Sequence, residues 1–194
     1  LPKYNKIWYD STDVVAAISK VTHDIVANVS PGVELYYLPH AVNSDFFKPF
    51  EKELSYFSEE NYAALKPLIL EQDIPTLQKH VKTGRLSYEK LTLFYLYRIR
   101  KFESDSLKSL NSIISLNPTI LEEARARDKN KKINAEFTIY GMPVLLKDNI
   151  NTKDMPTTAG AIALVENKNT QDAFIVQKLR DRGALILGKV NLSE

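Results

Sequence analysis

The sequence predicts an α/β protein, because short apolar runs of strand length alternate with amphipathic helical patterns. Three runs are short enough for buried strands: Ile113–Leu116, Met142–Leu146 and Ala184–Leu187. Helical patterns precede the first run and also separate the runs from one another. A strand, a helix and a strand in succession usually form a parallel unit, so we expect a largely parallel sheet flanked by helices.

The chain divides into an N-terminal extension, residues 1–65, and the first part of an α/β core, residues 66–194. We expect the extension to be mainly helical, with a helix that starts at Ser11, includes Val14 and ends before the breaker at Pro31. The extension also carries an aromatic-rich stretch typical of packing against a neighbouring domain: Tyr36, Tyr37, Phe46, Phe47, Phe50, Tyr56 and Phe57.

Two successive helices are predicted at the start of the core. Asp73 is a suitable N-cap for the first helix, and Gly84 is suited to end it in a left-handed conformation. Ser87 is a suitable N-cap for the second helix, where Leu86 and Leu91 have the spacing of a hydrophobic staple. These helices are expected to serve as scaffold.

Two further helices are predicted next to the apolar runs. Asn117 and Pro118 follow the first run and fit the N-cap and first position of a helix. Asp172 is suited to start the last helix, and Gly183 is suited to end it.

The composition argues against several classes of function. The net charge of +2 and the lack of a dense basic cluster give little support to nucleic-acid binding. The sequence has no cysteine, and its histidines, His23, His40 and His80, are too far apart for a local metal motif. No apolar run reaches the roughly 18 residues needed to span a bilayer. We expect a soluble chain, either cytoplasmic or exported after removal of a leader.

The segment Gly141–Ile150 places Lys147, Asp148 and Asn149 directly after an apolar run. A lysine at a strand end is usually only solvated, but the loop that follows is unusually rich in hydrogen-bonding groups. Such a loop can line a polar pocket. Its polar and turn-forming residues are Asp148, Asn149, Asn151, Thr152, Pro156, Thr157, Thr158 and Gly160.

Three ordered blocks resemble the motifs of the amidase-signature family: Gly141–Ile150, Pro156–Gly160 and Gly183–Glu194. The resemblance extends from about Asp73 to the end of the chain and leaves residues 1–65 outside it. It implies a mixed central sheet flanked by helices, of which this chain holds the N-terminal part.

The resemblance also implies an amide-bond hydrolase with a Ser-cisSer-Lys triad, in which Lys147 is the lysine. It implies no cofactor, and a small amide or a peptide amide as substrate. Asp148, Asn149, Thr157, Thr158 and Gly160 are then expected to bind substrate or support the catalytic groups. Both serines belong to a later segment that is absent from this sequence, and Ser193 is not the nucleophile. The fragment alone is expected to be inactive.

The chemistry of lysine gives an independent expectation. A lysine with the ordinary pKa of about 10.4 is protonated at neutral pH and cannot accept a proton. Burial disfavours the charged form and makes the amine a usable base. We therefore expect the end of the apolar strand to bury the Lys147 amine.

The sequence allows two other interpretations to be weighed. Residues 183–189 spell the phosphate-binding pattern G-x-x-x-x-G-K, but Val190 replaces the required hydroxyl residue and an apolar strand replaces the loop, so we reject a nucleotide site. A non-catalytic or split-site subunit of an amidase or amidotransferase remains open, as does homo-oligomerisation. Possible substrates within the family are small amides, peptide amides, fatty-acid amides and a glutaminyl donor. The N-terminal extension favours an amidase over a component of an amidotransferase.

Overall fold

The structure is a computed structural model that describes residues 14–17, 27–28, 32, 34–37, 44–104, 110–130 and 139–192. The chain forms two compact units, residues 1–42 and residues 43–194. No helix among the described residues is long and apolar enough to cross a membrane.

In the first unit, β1 (Val14–Ala17) pairs in parallel with β2 (Glu34–Tyr37). The helix predicted from Ser11 is therefore wrong at Val14–Ala17, although its remaining apolar positions lie outside the described residues. Val14 and Val15 are β-branched, which favours a strand once a partner strand is present. The sequence pattern could not reveal that partner.

The second unit begins with helices and ends with the main sheet. The described residues contain a 3-10 helix at Ser44–Phe50 and another at Ile162–Leu164. The α-helices are α1 (Glu51–Tyr56), α2 (Glu59–Ile69), α3 (Ile74–Lys82), α4 (Tyr88–Glu103), α5 (Ile120–Lys129) and α6 (Phe174–Asp181). The strands are β3 (Ile113–Leu116), β4 (Pro143–Lys147) and β5 (Leu185–Val190).

The predicted starts of α3 and α4 are confirmed. The Asp73 carboxylate accepts a hydrogen bond from the Thr76 amide at 2.9 Å, and the Ser87 hydroxyl accepts one from the Lys90 amide at 3.1 Å. Each bond satisfies an amide that would otherwise have no partner at the helix N-terminus. The Leu86 side chain that precedes the second cap is buried.

The predicted caps of α5 and α6 are displaced. Thr119 occupies the N-cap position of α5 without a side-chain capping bond. The buried Asn117 side chain accepts bonds from the Thr119 amide and hydroxyl and donates to the Ile186 carbonyl at 3.1 Å. Ala173 precedes α6, and Asp172 instead accepts from the Lys153 amide at 2.9 Å. Both side chains are engaged by tertiary partners that a local cap rule does not consider.

The main sheet has the order β3-β5-β4. β5 is parallel to β4 and antiparallel to β3, so the sheet is mixed, as the family resemblance implied, rather than largely parallel. In the register, Leu146 lies opposite Lys189 and Lys147 lies opposite Val190. The end of β4 is therefore held beside the end of β5, where the candidate site lies.

One hydrophobic core joins the early helices to the sheet. Buried residues of this core include Phe50 before α1, Tyr62 of α2, Phe94 of α4 and Leu187 of β5. Residues 44–65 thus pack within the second unit. The division of the chain at residue 65 remains a prediction about domain organisation.

Replacing Tyr88 with Phe should stabilise this core. The buried Tyr88 hydroxyl has no hydrogen-bond partner among the described residues, so its removal should raise the free energy of unfolding by about 1 kcal/mol. Burial, assisted by Tyr140 and Asp128, raises the pKa of Tyr88 to about 12. The folded chain therefore keeps this proton between the ordinary value of 10.0 and about 12, while the unfolded chain loses it. Stability should fall with pH in that window, and the fall should be smaller in Tyr88→Phe.

Urea unfolding at pH 8 and pH 11 would measure both effects. Tyr62→Phe is the matched control, because the Tyr62 hydroxyl accepts a bond from Arg98 Nη1 at 2.7 Å and its loss should destabilise the protein. Equal destabilisation by the two substitutions would contradict the interpretation.

Candidate functional site

Lys147 is the last residue of β4, and its side chain is exposed. Its Nζ donates a hydrogen bond to the Asn191 carbonyl oxygen, 3.1 Å away, just beyond the end of β5. Leu145, two residues earlier on the same face of the strand, is also 40% exposed. The candidate base therefore lies on an open face of the sheet, and its amine is hydrogen-bonded to the carbonyl of Asn191.

Asp148 follows Lys147 and is completely buried. Its backbone amide donates to the Val190 carbonyl at 2.9 Å, which continues the pairing of the two strands. Its Oδ2 atom accepts from the Thr158 amide at 3.0 Å, from the Thr158 hydroxyl and from the Gly160 amide at 3.4 Å. One carboxylate oxygen thus organises the loop that follows the strand.

The loop turns around this carboxylate through two left-handed residues. Ala159 has a φ of 49° and Gly160 a φ of 73°. The Ala159 amide also donates to the Asp148 carbonyl at 3.1 Å. A left-handed alanine costs about 1–2 kcal/mol relative to its usual conformations, so the bonds to Asp148 must offset this cost.

Lys189 is the second completely buried charged residue of the site. Its Nζ donates to the Ile150 carbonyl at 2.7 Å, to the Thr157 hydroxyl at 3.2 Å and to the Pro156 carbonyl at 3.4 Å. The same Nζ lies 3.8 Å from Asp148 Oδ1. Burial lowers the pKa of Lys189, while the carboxylates of Asp148 and Asp154 oppose that effect.

The structure brings most of the predicted site residues together. Asp148, Thr157 and Thr158 belong to one buried network, and Gly160 joins it through its amide. Asn149 is exposed and takes no part in these bonds. The hydroxyls of Thr157 and Thr158 face Lys189 and Asp148 respectively, so a role in substrate binding remains a prediction.

The expected burial of Lys147 is not observed in the described residues, whereas burial of Lys189 was missed. Side chains alternate between the faces of a strand, and Lys147 lies on the open face of β4. In the sequence, Lys189 fell within the third motif block and the rejected phosphate motif but was not named as a candidate for the site. Its position inside the apolar run Leu185–Val190 was the signal that could have revealed a buried cation.

Among the residues that the structure describes, no group of three or more histidine, aspartate or glutamate side chains could hold a metal ion. The polar side chains at the end of β4 are instead committed to one another and to the backbone.

Comparison with known proteins supports the resemblance seen in the motifs. The family model described as Amidase matches residues 90–194. A probable amidase from Arabidopsis thaliana is 37% identical over 130 residues, which are 65% of this chain and 25% of that protein. A glutamyl-tRNA(Gln) amidotransferase subunit from Lawsonia intracellularis is 34% identical over 120 residues, 56% of this chain and 24% of that protein.

Solved structures of relatives match as well. An amidase family protein from Bacillus anthracis matches with a TM-score of 0.70 and 38% identity, over 78% of this chain and 30% of that chain. The native peptide amidase from Stenotrophomonas maltophilia matches with a TM-score of 0.58 and 41% identity, over 64% of this chain and 26% of that chain.

This chain thus spans about a quarter of the length of the curated relatives it matches. The family model covers more than half of it and includes all three motif blocks. The chain belongs to the amidase signature family.

Proposed function

We propose that this chain supplies the catalytic lysine, Lys147, of an enzyme that hydrolyses amide bonds. The supporting observation is the convergence of three separate sequence blocks on one end of the sheet. Asp148 of the first block binds Thr158 and Gly160 of the second. Lys147 of the first block binds Asn191 of the third. Convergence of distant polar segments around an accessible amine is typical of an active site.

In the proposed reaction, the neutral Lys147 amine accepts a proton from the nucleophilic serine through the bridging serine. The serine oxygen then attacks the carbonyl carbon of the amide, and the amine or ammonia leaves with a returned proton. Water hydrolyses the resulting acyl-enzyme and regenerates the serine. The Asn191 carbonyl orients the lysine head group throughout, because its oxygen can only accept a hydrogen bond.

Both serines are proposed to come from a segment outside this sequence. The face that carries Leu145 and Lys147 is open, and β4 is an edge strand among the described strands. A segment placed there would exclude water from the amine and favour its neutral form. The complete enzyme, meaning the polypeptide or assembly that holds both serines, is therefore the proposed catalyst, and the fragment alone is proposed to be inactive.

Ammonia release by the complete enzyme from a panel of amides would test this function. The panel should contain a small aliphatic amide, a C-terminal peptide amide, a long-chain fatty-acid amide and free glutamine. Because two of the matched relatives are an amidase family protein and a peptide amidase, we expect turnover of a small or peptide amide. If none of the four amides released ammonia, the result would contradict the proposal.

A second candidate is the glutamine-hydrolysing component of an amidotransferase, which the 34% identity to a glutamyl-tRNA(Gln) amidotransferase subunit supports. The chemistry at Lys147 would be the same, but ammonia would pass to a second substrate. This candidate would be favoured if glutamine were the one amide of the panel to be hydrolysed and if glutamyl-tRNA and a partner protein stimulated its hydrolysis. Hydrolysis of simple amides by the isolated enzyme would favour the first.

A further inference from the structure

Lys189 is the buried cation of the described site, and the proposed proton transfer does not use it. Its hydrogen-bond acceptors lie at the two ends of the segment 150–157, which runs from the end of the first motif block into the second: the carbonyls of Ile150 and Pro156, at 2.7 and 3.4 Å, and the Thr157 hydroxyl, at 3.2 Å. The ammonium group thus ties both ends of that segment to β5.

The Asp148 carboxylate completes the connection. Its Oδ1 faces the Lys189 ammonium at 3.8 Å, and its Oδ2 holds the amides of Thr158 and Gly160 at 3.0 and 3.4 Å. A buried charge is tolerated only where opposite charge and hydrogen bonds compensate for its lost hydration. The ammonium and the carboxylate therefore stabilise the loop jointly, and each needs the other.

This pair lies next to Lys147 along the backbone and close to the carbonyl that accepts a bond from its amine. Asp148 is the next residue along the backbone, and its amide is bonded to Val190 at 2.9 Å. The Lys147 amine is bonded to Asn191, two residues beyond Lys189, at 3.1 Å. A shift in the pair would move the backbone of Lys147 relative to the carbonyl that orients its amine.

We propose that Lys189 is a positioning residue. Its buried ammonium group holds the Asp148 carboxylate and the rest of the loop, residues 149–160, in place so that Lys147 reaches the proton of the nucleophile. This inference rests on the proposed function of Lys147. Lys189 itself is enclosed by its four oxygen neighbours and fully buried, so its proposed effect on the reaction passes through the groups that it holds.

The test is steady-state kinetics of the complete enzyme with Lys189→Met, which keeps the apolar stem and removes the ammonium group. We expect kcat to fall by about 10²-fold, the loss that displacement of a catalytic group by about 1 Å can cause. KM should change by less than about threefold, because substrate contacts are retained. Near-normal kcat in this variant would overturn the positioning role.

A double variant separates positioning from simple loss of stability. In Lys189→Met, the Asp148 carboxylate is left buried without its cation, so the protein is expected to melt at a lower temperature. Adding Asp148→Asn removes that charge and should recover much of the melting temperature. Under the positioning role, kcat stays low in the double variant because the Ile150 carbonyl and the Thr157 hydroxyl still lack the hydrogen bonds that the Lys189 ammonium group donates. Recovery of kcat together with the melting temperature would overturn the proposal, and the double variant carries the test if Lys189→Met does not fold.

A pair of threonine substitutions supplies a matched control. Thr157→Val removes one acceptor of Lys189, whereas Thr92→Val removes a buried hydroxyl that donates to the Tyr88 carbonyl within α4. Both keep the shape of the side chain. We expect kcat to fall several-fold in Thr157→Val and to stay unchanged in Thr92→Val, and equal kcat values would count against the proposal.

Lys147→Ala is measured in the same series to separate the two claims. An inactive Lys147→Ala with an active Lys189→Met would overturn only the positioning role. An active Lys147→Ala would overturn the proposed function and, with it, this inference.

Discussion

Replacing Lys147 with Ala in the complete enzyme is expected to lower kcat by about 10⁴-fold, the usual cost of removing the base that activates a serine nucleophile. Asp148 and Lys189, the neighbouring charged groups, are completely buried and paired with each other, so neither is expected to replace the Lys147 amine as the base. Initial rates of ammonia release from the best amide of the panel would measure the effect.

The fold should tolerate this substitution. The Lys147 side chain is exposed, and its bond to the Asn191 carbonyl is of a kind that contributes about 1 kcal/mol or less at a solvated position. Circular dichroism and the melting temperature should therefore match the wild type. Lys168→Ala, which removes an exposed lysine outside the three motif blocks, is the matched control and should keep its kcat. A Lys147→Ala enzyme with wild-type turnover would show that another group is the base.

Replacing Asp148 with Ala is expected to cost about 3–5 kcal/mol of folding free energy, the usual effect of breaking a buried ion pair. The Lys189 ammonium would lose its carboxylate, and the amides of Thr158 and Gly160 would lose their acceptor. Urea unfolding of the complete enzyme would measure the change. Asp148→Ala combined with Lys189→Met should be less destabilised than Asp148→Ala alone, because no buried charge then remains. A cost below about 1 kcal/mol would mean that the pair is not a structural element.

The pair also predicts a dependence of stability on pH. Burial lowers the pKa of Lys189 from its ordinary value of 10.5, so below 10.5 the unfolded chain binds more protons than the folded chain. Stability contributed by Lys189 therefore rises with pH from the lowered pKa up to 10.5. This rise should be absent from Lys189→Met and should begin at a lower pH in Asp148→Ala, where the carboxylate no longer opposes the effect of burial on the pKa of Lys189. Identical pH profiles in the three proteins would contradict the assignment.

Local signals in the sequence predicted the elements that depend on local interactions. Asp73 and Ser87 cap helices through bonds to amides three residues away, and the apolar run Ile113–Leu116 is a strand with the predicted bounds. Gly183 ends α6 with a φ of 83°, as its position after the amphipathic pattern indicated. Each of these features needs only a few neighbouring residues.

The features that were missed depend on distant partners. Val14–Ala17 is a strand because it pairs with residues 34–37. Asn117 does not cap the helix as predicted, and its side chain donates a hydrogen bond to the Ile186 carbonyl instead. The motif made Lys147 the candidate base, which remains a prediction, but the sequence could not show which of Lys147 and Lys189 would be buried. That depends on which face of each strand is covered, and Lys189 is covered by the loop that its own ammonium group holds.

The central claim, that Lys147 is the base that starts amide hydrolysis, is tested most directly by trapping the acyl-enzyme. The complete enzyme would be mixed with its best amide substrate, and the reaction would be quenched in acid after defined times. The intact mass of the protein would then be measured by mass spectrometry. We predict an adduct with the mass of the acyl group in the wild-type enzyme within one turnover, and none on that timescale in Lys147→Ala. An adduct that forms at the wild-type rate in Lys147→Ala would contradict the account, because the nucleophile would then lose its proton without this lysine.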